Sequence, residues 1–289
     1  MIYIVIPVYN RLKYTQACLD CLFKQNVAEY KVIVVDHGST DGTSEVIVRD
    51  YPEVILLQED ESLWWAGATN KGIQKALKLS RRPEDFILTL NNDLIVKPGY
   101  LSELLRVYYV NRPAIVGSLS VHINNADKID FAGVKWNKIT AKFRKPTFLG
   151  IPLSKLKTEH EWLETDLLPG RGTLFPISVF RKLGLFDETK FPHYAADEDF
   201  ALTCKRNGYQ LLIAVNAGVE SYVDETGINY KHGKLNFKQF LRSLRAKNSA
   251  TNLSIRYRWA KKNSPVPVIY FFADVSRIFG SWFRSQLNG

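Results

Sequence analysis

Four short apolar runs recur through the first ninety or so residues: "IYIVIPV" at 2–8, "YKVIVVD" at 30–36, "EVILLQ" at 53–58 and "DFILTLN" at 85–91. Each is nearly continuous in Ile, Val and Leu, as expected of strands buried on both faces. Between them, apolar residues recur with helical spacing over 12–25, 42–51 and 66–79. Asp41 stands where the second of these helices needs an N-cap. Strands alternating with amphipathic helices predict an α/β fold, Rossmann-like, with a mostly parallel sheet covered on both faces. Ligands of such sheets gather at the C-terminal ends of the strands. That rule brings Asn10, Asp36, the segment after Gln58 and Asn91–Asp93 to one edge.

The second half changes character. "AIVGSLSV" at 114–121, "KIDFAGVKW" at 128–136 and "KITAKFR" at 138–144 read as strands, the last two as a hairpin. Residues 144–161 read as a mobile loop. "WLETDLLPGRGTLFP" at 162–176 returns to the core, and helices are expected at about 176–183 and 197–207, then a strand at "YQLLIAV", 209–215. Beyond Gly227 the pattern is helical and basic.

The 289 residues are 46% hydrophobic and 12% aromatic, enough for a large folded domain with an appendage and unlike a disordered chain. No run reaches the ~18 apolar residues of a membrane span. "MIYIVIPVYN" lacks a basic leader and reads as a first strand, so a cytoplasmic location is expected. Three cysteines make no disulfide framework; Cys18 and Cys21 have no second pair and read as two small apolar residues one helical turn apart. The net charge of +10 is unevenly spread. Residues 226–289 hold twelve Lys/Arg against Asp274 alone, whereas residues 1–225 hold 27 basic and 28 acidic groups. A near-neutral domain over 1–225 and a basic, aromatic helical extension over 226–289 follow. Such an extension suits an anionic partner: nucleic acid, a membrane surface or a pyrophosphate. No nucleic-acid recognition motif accompanies it.

Three segments carry chemistry. Asp36 ends a strand in "VVDHGSTDGT", where a carboxylate can accept hydrogen bonds from a base or ribose, or simply cap the turn. "LNND" at 90–93 ends another strand. Residues 91 and 93 of an extended segment point the same way, and one carboxylate beside an amide makes a cation site when phosphate oxygens add further ligands. Alternatively it is an Asn/Asp turn. "HYAADEDF" at 193–200 puts Asp197, Glu198 and Asp199 at a helix start, where the dipole favours anions. One cap would need one carboxylate; crowding three raises the proton affinity of one of them and suits a base.

With these segments in view, the chain resembles the family 2 inverting glycosyltransferases of the GT-A fold. The matches are "PVYN" at 7–10, "VVDHGSTDGT" at 34–43, "WWAGATNKGI" at 64–73, "LNND" at 90–93, "PGRGTLFP" at 169–176, "GLFDE" at 184–188 and "ADEDFALTCKRNGY" at 196–209. They occur in family order and span about 1–225. The resemblance extends to the bacterial rhamnosyl- and galactosyltransferase-like members that build surface polysaccharides.

The resemblance implies a nucleotide pocket lined by Pro7, Tyr9 and Asn10, with Asp36 on the base and Asp41 supporting its loop. It implies that Trp65, Gly67, Ala68, Asn70, Asn91 and Asn92 border the donor, and that Arg171 and Gly172 lie along the sugar–acceptor cleft. Asp93 takes the metal-binding place, for Mg²⁺ or Mn²⁺, Asp197 that of the catalytic base, and Asp199 supports the site. The partners implied are a UDP- or dTDP-sugar donor and a glycan or lipid-linked acceptor at the inner face of the cell membrane.

Two departures stand out. The first carboxylate of the family's D-x-D is Asn91. The place of a further metal ligand is contested by Glu220, Asp224, Glu225 and His232. In the basic extension, Lys247, Arg256 and Arg258 are candidates to clamp a pyrophosphate, or members of a solvated helix. The rival readings are a non-catalytic nucleotide-sugar-binding protein and, with no glycine-rich phosphate loop to support it, a nucleotidyltransferase.

Overall fold

The computed structural model describes residues 1–26, 29–144, 151–222 and 235–287. The first half runs β1 (Ile2–Val8), α1 (Leu12–Leu22), β2 (Tyr30–Asp36), α2 (Thr43–Asp50), β3 (Ile55–Gln58), α3 (Trp64–Leu79), β4 (Phe86–Thr89), β5 (Leu94–Val96) and α4 (Tyr100–Asn111). The second half continues with β6 (Ala114–His122), β7 (Asn125–Phe131), β8 (Lys135–Asn137), β9 (Lys142–Arg144), α5 (Leu153–Glu159), β10 (Trp162–Glu164), β11 (Thr173–Pro176), α6 (Ile177–Leu183), α7 (Ala196–Arg206) and β12 (Gln210–Ser221). Three helices close the described chain: α8 (Phe237–Ser243), α9 (Leu253–Asn263) and α10 (Pro267–Leu287).

One sheet orders its strands β10-β12-β6-β11-β4-β1-β2-β3. β4, β1, β2 and β3 pair in parallel, as their unbroken apolar runs predict, and β6 pairs in parallel with β12. The period of two sends alternate side chains to opposite faces. Val5, Ile33, Val35 and Ile87 join Ala66 and Ile73 of α3 in one core, while Ile4, Ile6, Val34 and Leu88 meet Leu19 of α1 and Leu104 of α4 in the other. The packing is close: a Cβ on Gly72 would lie 2.3 Å from Val5 Cγ1, so α3 is pressed directly onto β1.

The sheet departs from the sequence reading in the middle. β11 enters antiparallel between β4 and β6, so its run "TLFP" delivers the preceding Pro169–Gly172 loop to the same edge where the parallel strands end. Periodicity reports burial, not strand direction, and does not distinguish the two. Three short or middle elements were also not anticipated. α4 buries Tyr100, Leu101, Leu104 and Val107 at helical spacing. β5 is a three-residue strand on β12. α5 occupies 153–159 of the stretch expected to be loop. The expected hairpin is present as β8–β9, but "KIDF" belongs to β7, which pairs with β6.

The basic C-terminal helices pack on the α/β body. Buried Tyr270 of α10 accepts hydrogen bonds through its hydroxyl from Trp136 Nε1 of β8 (2.9 Å) and Trp259 Nε1 of α9 (3.0 Å). Arg277 donates to the Thr140 and Ala141 carbonyls, and Arg256 pairs with Asp274 at 3.3 Å. The boundary expected at 225/226 lies outside the described residues.

Candidate active site

Because β1, β2 and β4 run the same way, the residues after them meet at one edge and open into a cleft of about 1040 Å³. Its first corner is aromatic. Tyr9 stacks on His37 (centroids 5.3 Å, 21° between planes) and reaches Glu61 Oε2 at 3.3 Å, and Trp64 meets His193 edge-on at 5.7 Å. Burial lowers the proton affinity of both imidazoles, His193 also through His37, so both are neutral at pH 7. Arg11, Trp64 and Ala195 line the cleft at φ 65°, 53° and 73°. Non-glycine residues held there cost free energy that surrounding contacts must offset, and such outliers cluster at functional sites.

Pro7 and Tyr9 line this corner as the sequence implies, but Asp36 does not. Its carboxylate is buried and accepts from Ser39 N (2.9 Å) and from the Ser44 hydroxyl. Each oxygen thus takes one hydrogen bond from this loop, and the side chain that the loop adds to the cleft lining is His37. Asn10 and Asp41 are loop braces too. The Asn10 side-chain Oδ1 accepts from Thr40 N (2.9 Å), and Asp41 accepts from Leu12 N (2.8 Å), which serves one of the orphan amides of α1.

The floor of the cleft answers what the polar run after β4 holds. Asn91 Oδ1 accepts from Trp65 Nε1 (3.0 Å), Asn92 donates to Thr15 Oγ1 (2.9 Å), and Asp93 pairs with Arg11 Nη1 (3.0 Å). Burial pushes the Asp93 carboxyl up, against the pull of Arg11. Among the described residues no group of three or more His, Cys, Asp or Glu is placed to hold a metal ion, and Asp93 is the carboxylate that the run after β4 brings to the cleft. Glu220 is directed elsewhere: it pairs with Lys97 at 3.2 Å beside a separate small cavity. Asp224, Glu225 and His232 lie outside the described residues. A lone carboxylate fits an ion that keeps waters and takes its other ligands from substrate phosphates.

Trp65 organises the centre. Its ring stacks on Phe186 (5.7 Å, 18°) and covers Gly170, where a Cβ would lie 2.3 Å from Trp65 Cη2. Gly67, Ala68 and Asn70 lie on the buried side of α3, away from the cleft; Asn70 binds the Phe186 carbonyl (2.9 Å) and Glu188 (2.6 Å) and so fixes the platform under Trp65. Gly172 is likewise structural. It has φ 84°, and a Cβ would come within 2.5 Å of Ser118 Oγ. Arg171 does line the cleft, pairing with Asp130 at 3.3 Å.

The acidic start of α7 divides. Asp197 and Glu198 both line the cleft, and Asp199 does not. Asp197 Oδ2 accepts from Gly170 N at 2.5 Å, and burial raises its carboxyl. Glu198 is pushed up to about 7, first by burial and then by the charge of Asp197, with Arg256 and Arg171 opposing. Asp199 is 2% exposed and fully engaged by Lys262 Nζ (2.7 Å) and Asn263 Nδ2 (3.0 Å) of α9. Of the basic candidates, only Arg256 reaches the cleft. Arg258 donates to backbone carbonyls of Thr189 and Lys190, and Lys247 is exposed.

Sequence reasoning did not single out Arg11, His37, Glu61, Trp64, His193 or Trp259 as lining residues, and gave Glu198 no role of its own. Arg11, His37 and Glu198 each adjoin a residue that was singled out, so their signal was position. His193 and Trp259 arrive through tertiary packing and carried no local signal.

The family model for glycosyl transferase family 2 matches residues 3–159. An uncharacterised glycosyltransferase of Rickettsia typhi is 28% identical over 197 residues, covering 67% of this chain and 56% of that one. The chain spans only about a quarter to just over half of the length of the first such relatives (29%, 25% and 56%). Among solved structures, GalNAc-T7 with UDP, GalNAc and Mn²⁺ superposes with a TM-score of 0.61 at 15% identity, covering 91% of this chain and 51% of that one. The mannosyltransferase PcManGT of Pyrobaculum calidifontis, in complex with GDP-Man and Mn²⁺, gives 0.58 at 16% identity, covering 94% and 68%. At such identities these likenesses establish the fold.

The Gly170 contact is testable. Trp65 is held by Phe186 and Asn91 and cannot swing aside without breaking both. Gly170→Ala should cost about 1–3 kcal/mol, as overpacking typically does, seen as a lower urea midpoint, and should shift the tryptophan emission. An unchanged midpoint and spectrum would refute the contact.

Proposed function

The chain belongs to glycosyl transferase family 2 and has the GT-A fold, and from that premise we propose that it moves a sugar from a UDP- or dTDP-sugar to a hydroxyl of a glycan or lipid-linked acceptor. The transfer inverts the anomeric carbon and serves bacterial surface polysaccharide synthesis. One observation carries the reading: a single cleft is lined at once by an aromatic corner, by Asp93 and by two carboxylates of α7.

Tyr9 and His37 offer ring faces to the base, and Asp36, Asn10 and Asp41 hold their loop. Arg171 and Arg256 bring positive charge to the diphosphate, favouring its growing charge in a site partly shielded from water. Asp93 would hold Mg²⁺ or Mn²⁺ together with phosphate oxygens, and the bound ion supplies charge neutralisation for the leaving diphosphate. The acidic start of α7 takes the proton of the attacking hydroxyl, a role that the family resemblance gives to Asp197.

The acceptor side of this proposal draws on α10. No helix among the described residues is long and apolar enough to cross a membrane. Yet Val268, Ile269, Phe272, Phe279, Phe283 and Leu287 are exposed along one stripe, opposite buried Tyr270 and Asp274. Phe237 and Leu241 of α8 are exposed as well, beside Lys238 and Arg242. Apolar residues flanked by basic ones suit a helix lying in the interface of an anionic bilayer, where a lipid-linked acceptor resides.

A panel of UDP-, dTDP- and GDP-sugars tests the catalytic reading: the protein should release nucleoside diphosphate from one of them. Release of pyrophosphate would mark a nucleotidyltransferase, and binding without turnover a non-catalytic protein. Because one carboxylate holds the ion, Mn²⁺ should bind measurably in calorimetry only with UDP or dTDP present, and Asp93→Asn should abolish that binding. Tight Mn²⁺ binding without nucleotide would contradict the assignment.

Flotation tests the membrane. Binding to phosphatidylserine-containing vesicles should fall with salt and be lost in the Phe272→Asp, Phe283→Asp double variant. Equal binding to neutral vesicles, or none, would count against it.

A further inference from the structure

One face of α1 holds the segment that follows β4. Thr15 Oγ1 accepts from Asn92 (2.9 Å), and the Cys18 thiol donates to the Asn91 carbonyl (3.7 Å). Cys21 Sγ accepts from Val96 N (3.3 Å), and Gln25, just past the helix, donates to the Lys97 carbonyl (3.0 Å). The two thiols are therefore more than small apolar side chains. They bracket residues 91–96, the stretch that carries Asp93 into the cleft.

Cys18 is fully buried and Cys21 is half-buried. Residues three apart on a helix share a face. Their Cα atoms lie roughly 5 Å apart, inside the roughly 4.4–6.8 Å that a disulfide spans. The Cys18 thiol stands beside the Cys21 sulfur and, with the Val96 amide, lowers the proton affinity of Cys21 against the effect of burial. The thiol that is reachable and stabilised as thiolate is the one that attacks.

We propose that Cys18 and Cys21 form a redox-modification site, a dithiol that a low-molecular-weight disulfide such as oxidised glutathione converts to a disulfide within α1, loosening the cleft floor at Asp93. In the first step Cys21 gives its proton to solvent, and its thiolate attacks one sulfur of the small disulfide. That S–S bond breaks and one small thiolate leaves. In the second step Cys18, its proton lost in turn, attacks the Cys21 sulfur and expels the other. The pair loses two electrons and two protons, and the small disulfide is reduced to two thiols. The product has no S–H for the Asn91 carbonyl, and closing the bond draws the Cys21 sulfur toward Cys18 and away from the Val96 amide. Of these four ties between α1 and the segment, those of Thr15 and Gln25 remain. The chemistry of the pair stands on its own; its effect on ion binding rests on the glycosyl-transfer reading above.

The experiment equilibrates the folded protein with oxidised glutathione, blocks the free thiols, digests with trypsin and weighs the peptide 14–24, which carries both cysteines. The wild-type peptide should lose two hydrogens and carry no glutathione, while Cys204, buried in α7, stays a free thiol. Cys18→Ser, which keeps a hydroxyl for the Asn91 carbonyl, should hold one glutathione on Cys21, and Cys21→Ser should take none. Mn²⁺ binding with UDP or dTDP present should weaken roughly tenfold, the size of one or two lost hydrogen bonds, and return on reduction. In Cys21→Ser it should be the same before and after the treatment. Both wild-type thiols still free, glutathione on Cys18 in Cys21→Ser, or Cys204 reacting as readily as Cys21, which marks oxidation of an unfolded chain, would overturn the proposal. So would a disulfide that leaves Mn²⁺ binding unchanged. Should the reduced protein bind no Mn²⁺ with either nucleotide, the glycosyl-transfer reading fails, and the peptide masses still decide the dithiol.

Discussion

The contact of Gly170 with Trp65 is the constraint on which the site depends. A backbone segment without a side chain lets an indole lie within ordinary contact of it; a methyl group would overlap the ring. Two polar interactions diverge from that contact. The indole N–H fixes Asn91 at the end of β4, and the Gly170 amide fixes Asp197 at the start of α7. Segments far apart in sequence thus share one mechanical reference. The antiparallel entry of β11 makes it possible, since a parallel strand would have delivered its preceding loop to the other edge of the sheet.

Charge in and behind the cleft is arranged by pairing. In the lining, Asp93 has Arg11 and Arg171 has Asp130; behind it, Asp199 has Lys262. Burying a charge without a partner costs several kcal/mol, so most of these groups meet a counter-charge before any substrate enters. Pairing also means that a ligand must exchange partners. A cation reaching Asp93 would have to compete with Arg11 for the carboxylate. Glu198 departs from this economy, and its proton affinity moves instead.

The parallel half of the fold was legible because its strands are apolar without interruption and its helices are periodic; strand limits at 2–8 and 30–36 agree with the structure. The direction of β11 was not legible, because antiparallel and parallel strands bury the same residue types. The polar residues ending β1, β2 and β4 were correctly gathered at one edge. The division of labour among them was hidden, since a sequence does not show which lone pairs are already occupied. Asp36 read as a carboxylate for the base and Asp199 as a support of the site; in the structure Ser39 and Ser44 bond the first, and Lys262 and Asn263 the second. Those partners stand 3, 8, 63 and 64 residues away, and for the distant pair no local pattern announces the meeting.

Lys262 touches both Asp199 and Asp187, at 2.7 and 3.1 Å, so α9 is bonded to the helix that begins at the cleft-lining carboxylates and to the loop before it. Opening α9 alone would strand a buried carboxylate in an apolar wall. The amides of α7 and α9 therefore belong to one cooperative unit and exchange their hydrogens with solvent together, while the outer turns of α10, whose apolar stripe faces out, exchange sooner. The state of the C-terminal helices is thereby felt at the cleft: whatever tightens or loosens α9 acts, through Lys262, on the start of α7.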